Sequence, residues 1–73
     1  MDIQLYLERP YRRILIPDRE TGTYTAVIEE FPGCVAEGRD PAEAIRRLEA
    51  AAASWIDAAL NAGLPIPEPR EKD

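Results

Sequence analysis

The sequence predicts an α+β domain: a three-stranded antiparallel meander covered on one face by one long helix. Three observations predict it. Thr23 to Ile28 alternates, with Tyr24, Ala26 and Ile28 on one face and Thr23, Thr25 and Val27 on the other, the period of a half-buried strand. Short apolar runs flank it, separated by Pro-, Gly- and Asp-containing stretches, so consecutive strands join by short connections. From Asp40 to Ala62 the period becomes helical, with Ala44, Ile45, Leu48, Ala51, Ala52, Trp55, Ile56, Ala59 and Leu60 on one wide stripe. A meander this small needs a cover, and the helix supplies it.

Met1 to Pro10 places Ile3, Leu5, Tyr6 and Leu7 among polar residues, which fits a short helix or an irregular arm. Pro10 ends it and biases Arg9 towards extended backbone. Tyr11 to Ile16 reads as the first strand and Pro17 to Gly22 as a polar turn. Glu29 to Gly33 is the second turn. Cys34 to Gly38 is the third strand, with small Cys34 and Ala36 on one face, where a helix can approach closely. Asp40 caps the helix, Pro41 occupies its first position and Glu43 reaches back to the cap. Gly63 and then Pro65 end it. Glu43 and Arg47 lie four apart in the favourable order on the outer side.

Pro65, Pro67 and Pro69 force an extended tail, on which Leu64 and Ile66 could fold back. The chain is thus one domain over residues 1–69. It divides into an arm (1–10), a sheet (11–38), a helix (40–62) and a Pro-rich tail (63–69). A charged end (70–73) is expected to be disordered.

Composition narrows the function classes. A chain of 73 residues is near the lower limit for a self-sufficient core. One cysteine permits no internal disulfide, and with no histidine a zinc site is a poor candidate. Self-association rises by elimination. Ala50, Ala53, Ser54, Asp57 and Ala58 leave a flat, nearly uncharged helix face, read either as helix propensity or as a surface for a second copy. The net charge of −5 argues against a broad nucleic-acid surface. It suits a basic partner or serves solubility. No apolar run reaches a membrane span and no signal sequence opens the chain, so the cytoplasm is the expected location.

No catalytic, cofactor or metal site is assigned. Without histidine the usual triads are absent. Cys34 lies in a predicted strand with no basic neighbour in sequence, as an inert buried thiol would. Gly33 and Gly38 fit a turn and a strand end better than a phosphate loop. Asp18, Glu20, Glu29, Glu30 and Glu37 fall on the strands and turns of the sheet. Three readings stay open for them: solvated turn residues, an acidic rim facing a basic partner, or an acid–base or divalent-ion site.

Several stretches together resemble HicB-like antitoxins. They are Leu5 to Tyr11; Ile16-Pro17-Asp18 with Gly22, Tyr24 and Ala26; Phe31-Pro32-Gly33-Cys34 with Glu37-Gly38; Asp40 with Glu43-Ala44; Trp55 to Leu60; and Gly63 to Pro69. The resemblance implies a truncated ribonuclease H-like fold without nuclease activity. It implies a dimer or tetramer that binds a small basic RNA-cleaving toxin of the HicA type and shields its active site. Pro32, Gly33, Gly38, Asp40, Glu43 and Gly63 are then structural. Many members carry a C-terminal DNA-binding segment; the chain stops at Asp73, so no operator binding is expected. The alternative is an orphan homo-oligomer that kept the fold without a toxin, associating through the alanine-rich face or a sheet edge.

Overall fold

The computed structural model describes residues 3–70. A short helix α1 (Ile3–Leu7) precedes strands β1 (Arg13–Asp18), β2 (Thr23–Ile28) and β3 (Val35–Gly38), and α2 (Pro41–Asn61) follows. The strands form one antiparallel sheet in the order β1-β2-β3. The architecture is the α+β meander with one long covering helix, and the arm opens as the short helix.

The helix bounds follow from its caps. The Asp40 Oδ1 accepts from the Glu43 N–H at 2.8 Å. The Glu43 carboxylate reaches one residue beyond the cap, accepting from the Arg39 N–H at 2.7 Å. Gly63, at φ +73°, lets its own N–H bond Leu60 O and the Leu64 N–H bond Ala59 O. These two bonds satisfy the last carbonyls of the helix. All nine residues of the apolar stripe are buried or half-buried. Glu43 is buried as well, not on the outer side, with Arg47 Nη2 at 3.2 Å and Arg39 Nε at 3.5 Å.

Tyr24, Ala26 and Ile28 face α2, with Ala26 and Ile28 fully buried. The strand ends differ from the sequence reading. β1 extends through Pro17 and Asp18, predicted as turn, and starts two residues later than Tyr11. Glu29 N donates to Arg12 O. By antiparallel alternation the main-chain groups of Arg13, Leu15 and Pro17 then point to the free edge. A proline costs no ladder bond there. Tyr11 instead sends its ring into the core.

Phe31 is the centre of that core. It stacks on Trp55 (centroids 4.4 Å apart, planes 1° apart) and meets Tyr11 at 4.6 Å, tilted by 56°. Phe31-Pro32-Gly33-Cys34 closes a β-turn through Cys34 N to Phe31 O, with Gly33 at φ +81°. Proline then glycine at the central positions suits a type II turn. Cys34 ends that turn instead of opening β3.

The helix comes into backbone contact range of the sheet at Gly38, while Cys34 lies in the core and Ala36 packs against it. A Cβ on Gly38 would lie 2.8 Å from Ala44 Cα and from the Glu43 carbonyl carbon. Gly38 therefore lets the first turn of α2 rest on the sheet. The tail folds back: Tyr11 Oη donates to Pro67 O at 2.6 Å, and Ile66 packs on the core. Arg70, read with the charged end, is also tied down (below); residues 71–73 lie outside the described residues.

Candidate partner-binding surface

The five sequence-nominated carboxylates fall into two groups at opposite ends of β2. Asp18, Glu20 and Glu37 sit at the β1–β2 hairpin end. Asp18 Oδ1 accepts from the Glu20 N–H at 3.0 Å, and Glu37 Oε2 accepts from Thr23 Oγ1 at 3.0 Å. All three are exposed. Glu29 and Glu30 follow the other end of β2. Thr23 and Ile28 are five residue steps apart, so the groups are separated by roughly 17 Å.

Glu30 belongs to the fold's interior. It is 4% exposed. Its carboxylate accepts from the Arg12 N–H at 3.0 Å and the Arg70 N–H at 2.8 Å. One buried side chain thus ties the approach to β1 to the tail. Burial pushes the carboxyl up, but the Arg70 and Arg12 N–H groups outweigh it and hold it below its ordinary value. Glu29 is paired on both oxygens: Arg70 Nη1 donates to Oε2 at 3.0 Å, and Arg12 Nε stands 3.3 Å from Oε1 without a hydrogen bond to it. Of the five carboxylates, the three that are exposed and form no ion pair with a described cation are those at the hairpin end, where Arg19 is exposed as well.

Between the two ends lies the sheet face turned away from α2. In register, Ile14, Ile16 and Asp18 share that face with Val27, Thr25 and Thr23, and with Val35 and Glu37. Ile14, Ile16 and Val35 are exposed large apolar residues. Three consecutive apolar residues, Ile14-Leu15-Ile16, carry no alternation, so the outward pair could not be picked from the sequence. The alternation of β2 read across the sheet register identifies it.

On α2, Ala50, Ser54, Asp57 and Ala58 are exposed and Ala53 half-buried. Ala58 also lines an apolar hollow of about 390 Å³ with Trp55, Ala59, Ala62, Leu64 and Pro65. Cys34 is buried, and burial, helped by the Glu49 charge, raises its thiol pKa. A raised pKa disfavours the thiolate that nucleophilic chemistry needs. Among the described residues no cluster of acids and sulfur could hold a metal ion. No described helix is long and apolar enough to cross a membrane.

The fold is a small α+β module whose sheet leaves one face uncovered by α2. A family model described as the HicB_like antitoxin of bacterial toxin-antitoxin system matches residues 12–73. The chain belongs to that family. No curated protein and no solved structure gives a significant match.

Proposed function

We propose that this protein is a non-catalytic antitoxin domain that neutralises a small, basic, RNA-cleaving toxin by direct binding in the cytoplasm. The family match over residues 12–73 carries this reading. The hairpin-end carboxylates fit the partner's charge: Glu20 and Glu37, with Asp18 beside them, are exposed and form no ion pair with a described cation. Such a patch speeds encounter with a basic surface and loses strength as salt rises. Glu29 and Glu30 play no part in it, because their charge is spent on Arg12 and Arg70 within the fold. Self-association as a dimer or tetramer is part of the same reading.

The test is a pull-down with tagged protein from its own cells at low and then high salt. The expected result is one small basic protein, released as salt rises, whose RNA cleavage stops when the two are mixed. Glu20→Lys with Glu37→Lys should weaken that complex without lowering the melting temperature. Recovery of the bait alone at low salt would overturn the reading.

A further inference from the structure

We infer that the sheet face turned away from α2 is where the toxin docks, and that it takes an amphipathic helix of the toxin with a short apolar stripe and a Lys or Arg one turn beyond it. This rests on the antitoxin reading and adds the surface used and the kind of segment it receives.

Cross-strand partners share a face, so the register lays this one out in rows. Ile14, Val27 and Val35 form one row, wholly aliphatic. Ile16, Thr25 and Glu37 form the next, and Asp18 and Thr23 the third, at the hairpin end. Behind the aliphatic row stand Arg12 and Glu29, ion-paired at 3.3 Å. The face thus runs from apolar to acidic in one direction only. Ile14 is 38% exposed, Ile16 49% and Val35 52%, although each lies within a strand. Neither described helix covers them: α2 lies on the inner face and α1 packs on α2. An apolar patch rimmed by polar residues marks an interaction site.

Shape selects a helix. Three strands about 4.8 Å apart present a strip about 10 Å wide, the width of one helix. A second sheet laid on this face would need apolar residues at alternate positions all along each strand. It would also bury Asp18 and Glu37 without partners, which is costly. A helix lying along the strands meets the first two rows, about 7 Å apart, with residues at i and i+4, about 6 Å apart along its axis. Its next turn then stands over Glu37 and Asp18.

Charge selects the partner. Asp18 and Glu37 form no ion pair with a described cation. The cations nearest in the fold are engaged or offset. Arg39 and Arg47 turn to the buried Glu43, Arg12 turns to Glu29, and exposed Arg19 is offset by Glu20 beside it. An aliphatic strip that ends in two carboxylates suits a helix of a basic protein and repels an acidic one. A second copy of this chain, itself at −5, is the poorer match.

The test titrates the full chain with the basic protein that the pull-down recovers, followed by calorimetry and methyl NMR. The methyl signals of Ile14, Ile16, Val27 and Val35 should shift most. Ile16→Asp and Val35→Asp should each weaken binding by about 30-fold or more, because each sets a charge in the buried strip. Leu5→Asp and Leu64→Asp, at exposed apolar positions on α1 and past the end of α2, should leave the affinity unchanged. Asp18→Asn should lower the affinity at low salt and leave it unchanged at high salt. A recovered toxin whose affinity survives both Ile16→Asp and Val35→Asp overturns this docking surface and leaves the antitoxin reading standing. So does a toxin that shifts Leu64 in place of the four outer-face residues, or an Ile16→Asp variant that loses only self-association in sedimentation. Recovery of no basic protein overturns the antitoxin reading, and the docking surface with it. If either aspartate variant fails to fold by circular dichroism, the wild-type methyl shifts decide.

Discussion

Gly38→Ala should destabilise this protein more than its one added methyl suggests. The new Cβ would meet only backbone: 2.8 Å from Ala44 Cα and from the Glu43 carbonyl carbon, and closer still to Ala44 N. Carbon atoms pack at about 3.5–4.0 Å, so the first turn of α2 must retreat by roughly 1 Å. No side chain can rotate away instead. Retreat loosens the Asp40–Glu43 cap (2.8 Å) and backs Ala44 and Leu48 out of fully buried positions. Overpacking costs about 1–3 kcal/mol and a disturbed cap about 1 more. A less flexible unfolded chain returns up to about 1 kcal/mol. The net loss is roughly 1–4 kcal/mol, against roughly 4–11 for a whole domain of this length. Thermal unfolding followed by far-ultraviolet circular dichroism should show the midpoint falling by at least about 4 °C. Gly33→Ala is the matched control, since its Cβ would meet nothing within 4 Å and only its φ of +81° resists. That strain costs about 1–2 kcal/mol. A Gly38→Ala midpoint within about 3 °C of wild type, or a larger drop for Gly33→Ala, would refute the steric argument.

Three further outcomes follow from the same contacts. Glu30→Gln should detach the tail, because an amide places an NH₂ against one of two N–H groups; faster hydrogen exchange at Arg70 and Arg12 would report it. In the wild type the folded Glu30 carboxyl lies below its ordinary value of 4.5. Its contribution is therefore whole above that pH and is lost as pH falls through the folded value, so urea midpoints of Glu30→Gln and wild type should converge in acid. Asp40→Ala should cost about 1 kcal/mol by removing the acceptor for the Glu43 N–H, measurable as a shifted urea midpoint with unchanged slope. Leu48→Ala, at a fully buried site, should cost about 2–5 kcal/mol in the same titration.

The sequence carries α2 almost residue by residue, because Asp40, Pro41 and Gly63 are local signals whose chemistry works within one turn. β2 is equally legible, since its alternation matches a sheet covered on one side only. The limits of β1 are not. A proline reads as a strand end unless the strand is known to lie at an edge, and that is a property of the whole sheet. Gly38 looks like a strand end in sequence, and only the helix resting on it shows why a side chain is barred. The acids are the plainest case. Glu29 and Glu30 are adjacent and chemically alike to Asp18 and Glu20, yet Glu30 is an interior clasp. The residues that make it so, Arg12 and Arg70, lie 18 and 40 positions away. The outward apolar face was hidden for a related reason: Ile14-Leu15-Ile16 has no period until β2 supplies one.

The stacked pair of Phe31 and Trp55 gives the molecule a built-in optical probe. Trp55 is the only tryptophan, and its indole Nε1–H donates to the Pro32 carbonyl at 2.9 Å. Its emission therefore comes from a point where the helix holds the β2–β3 turn. Phe31 also touches Tyr11, whose hydroxyl holds the tail. A change in emission wavelength during unfolding, or on titration with a binding partner, can thus be assigned to release of that turn without any label.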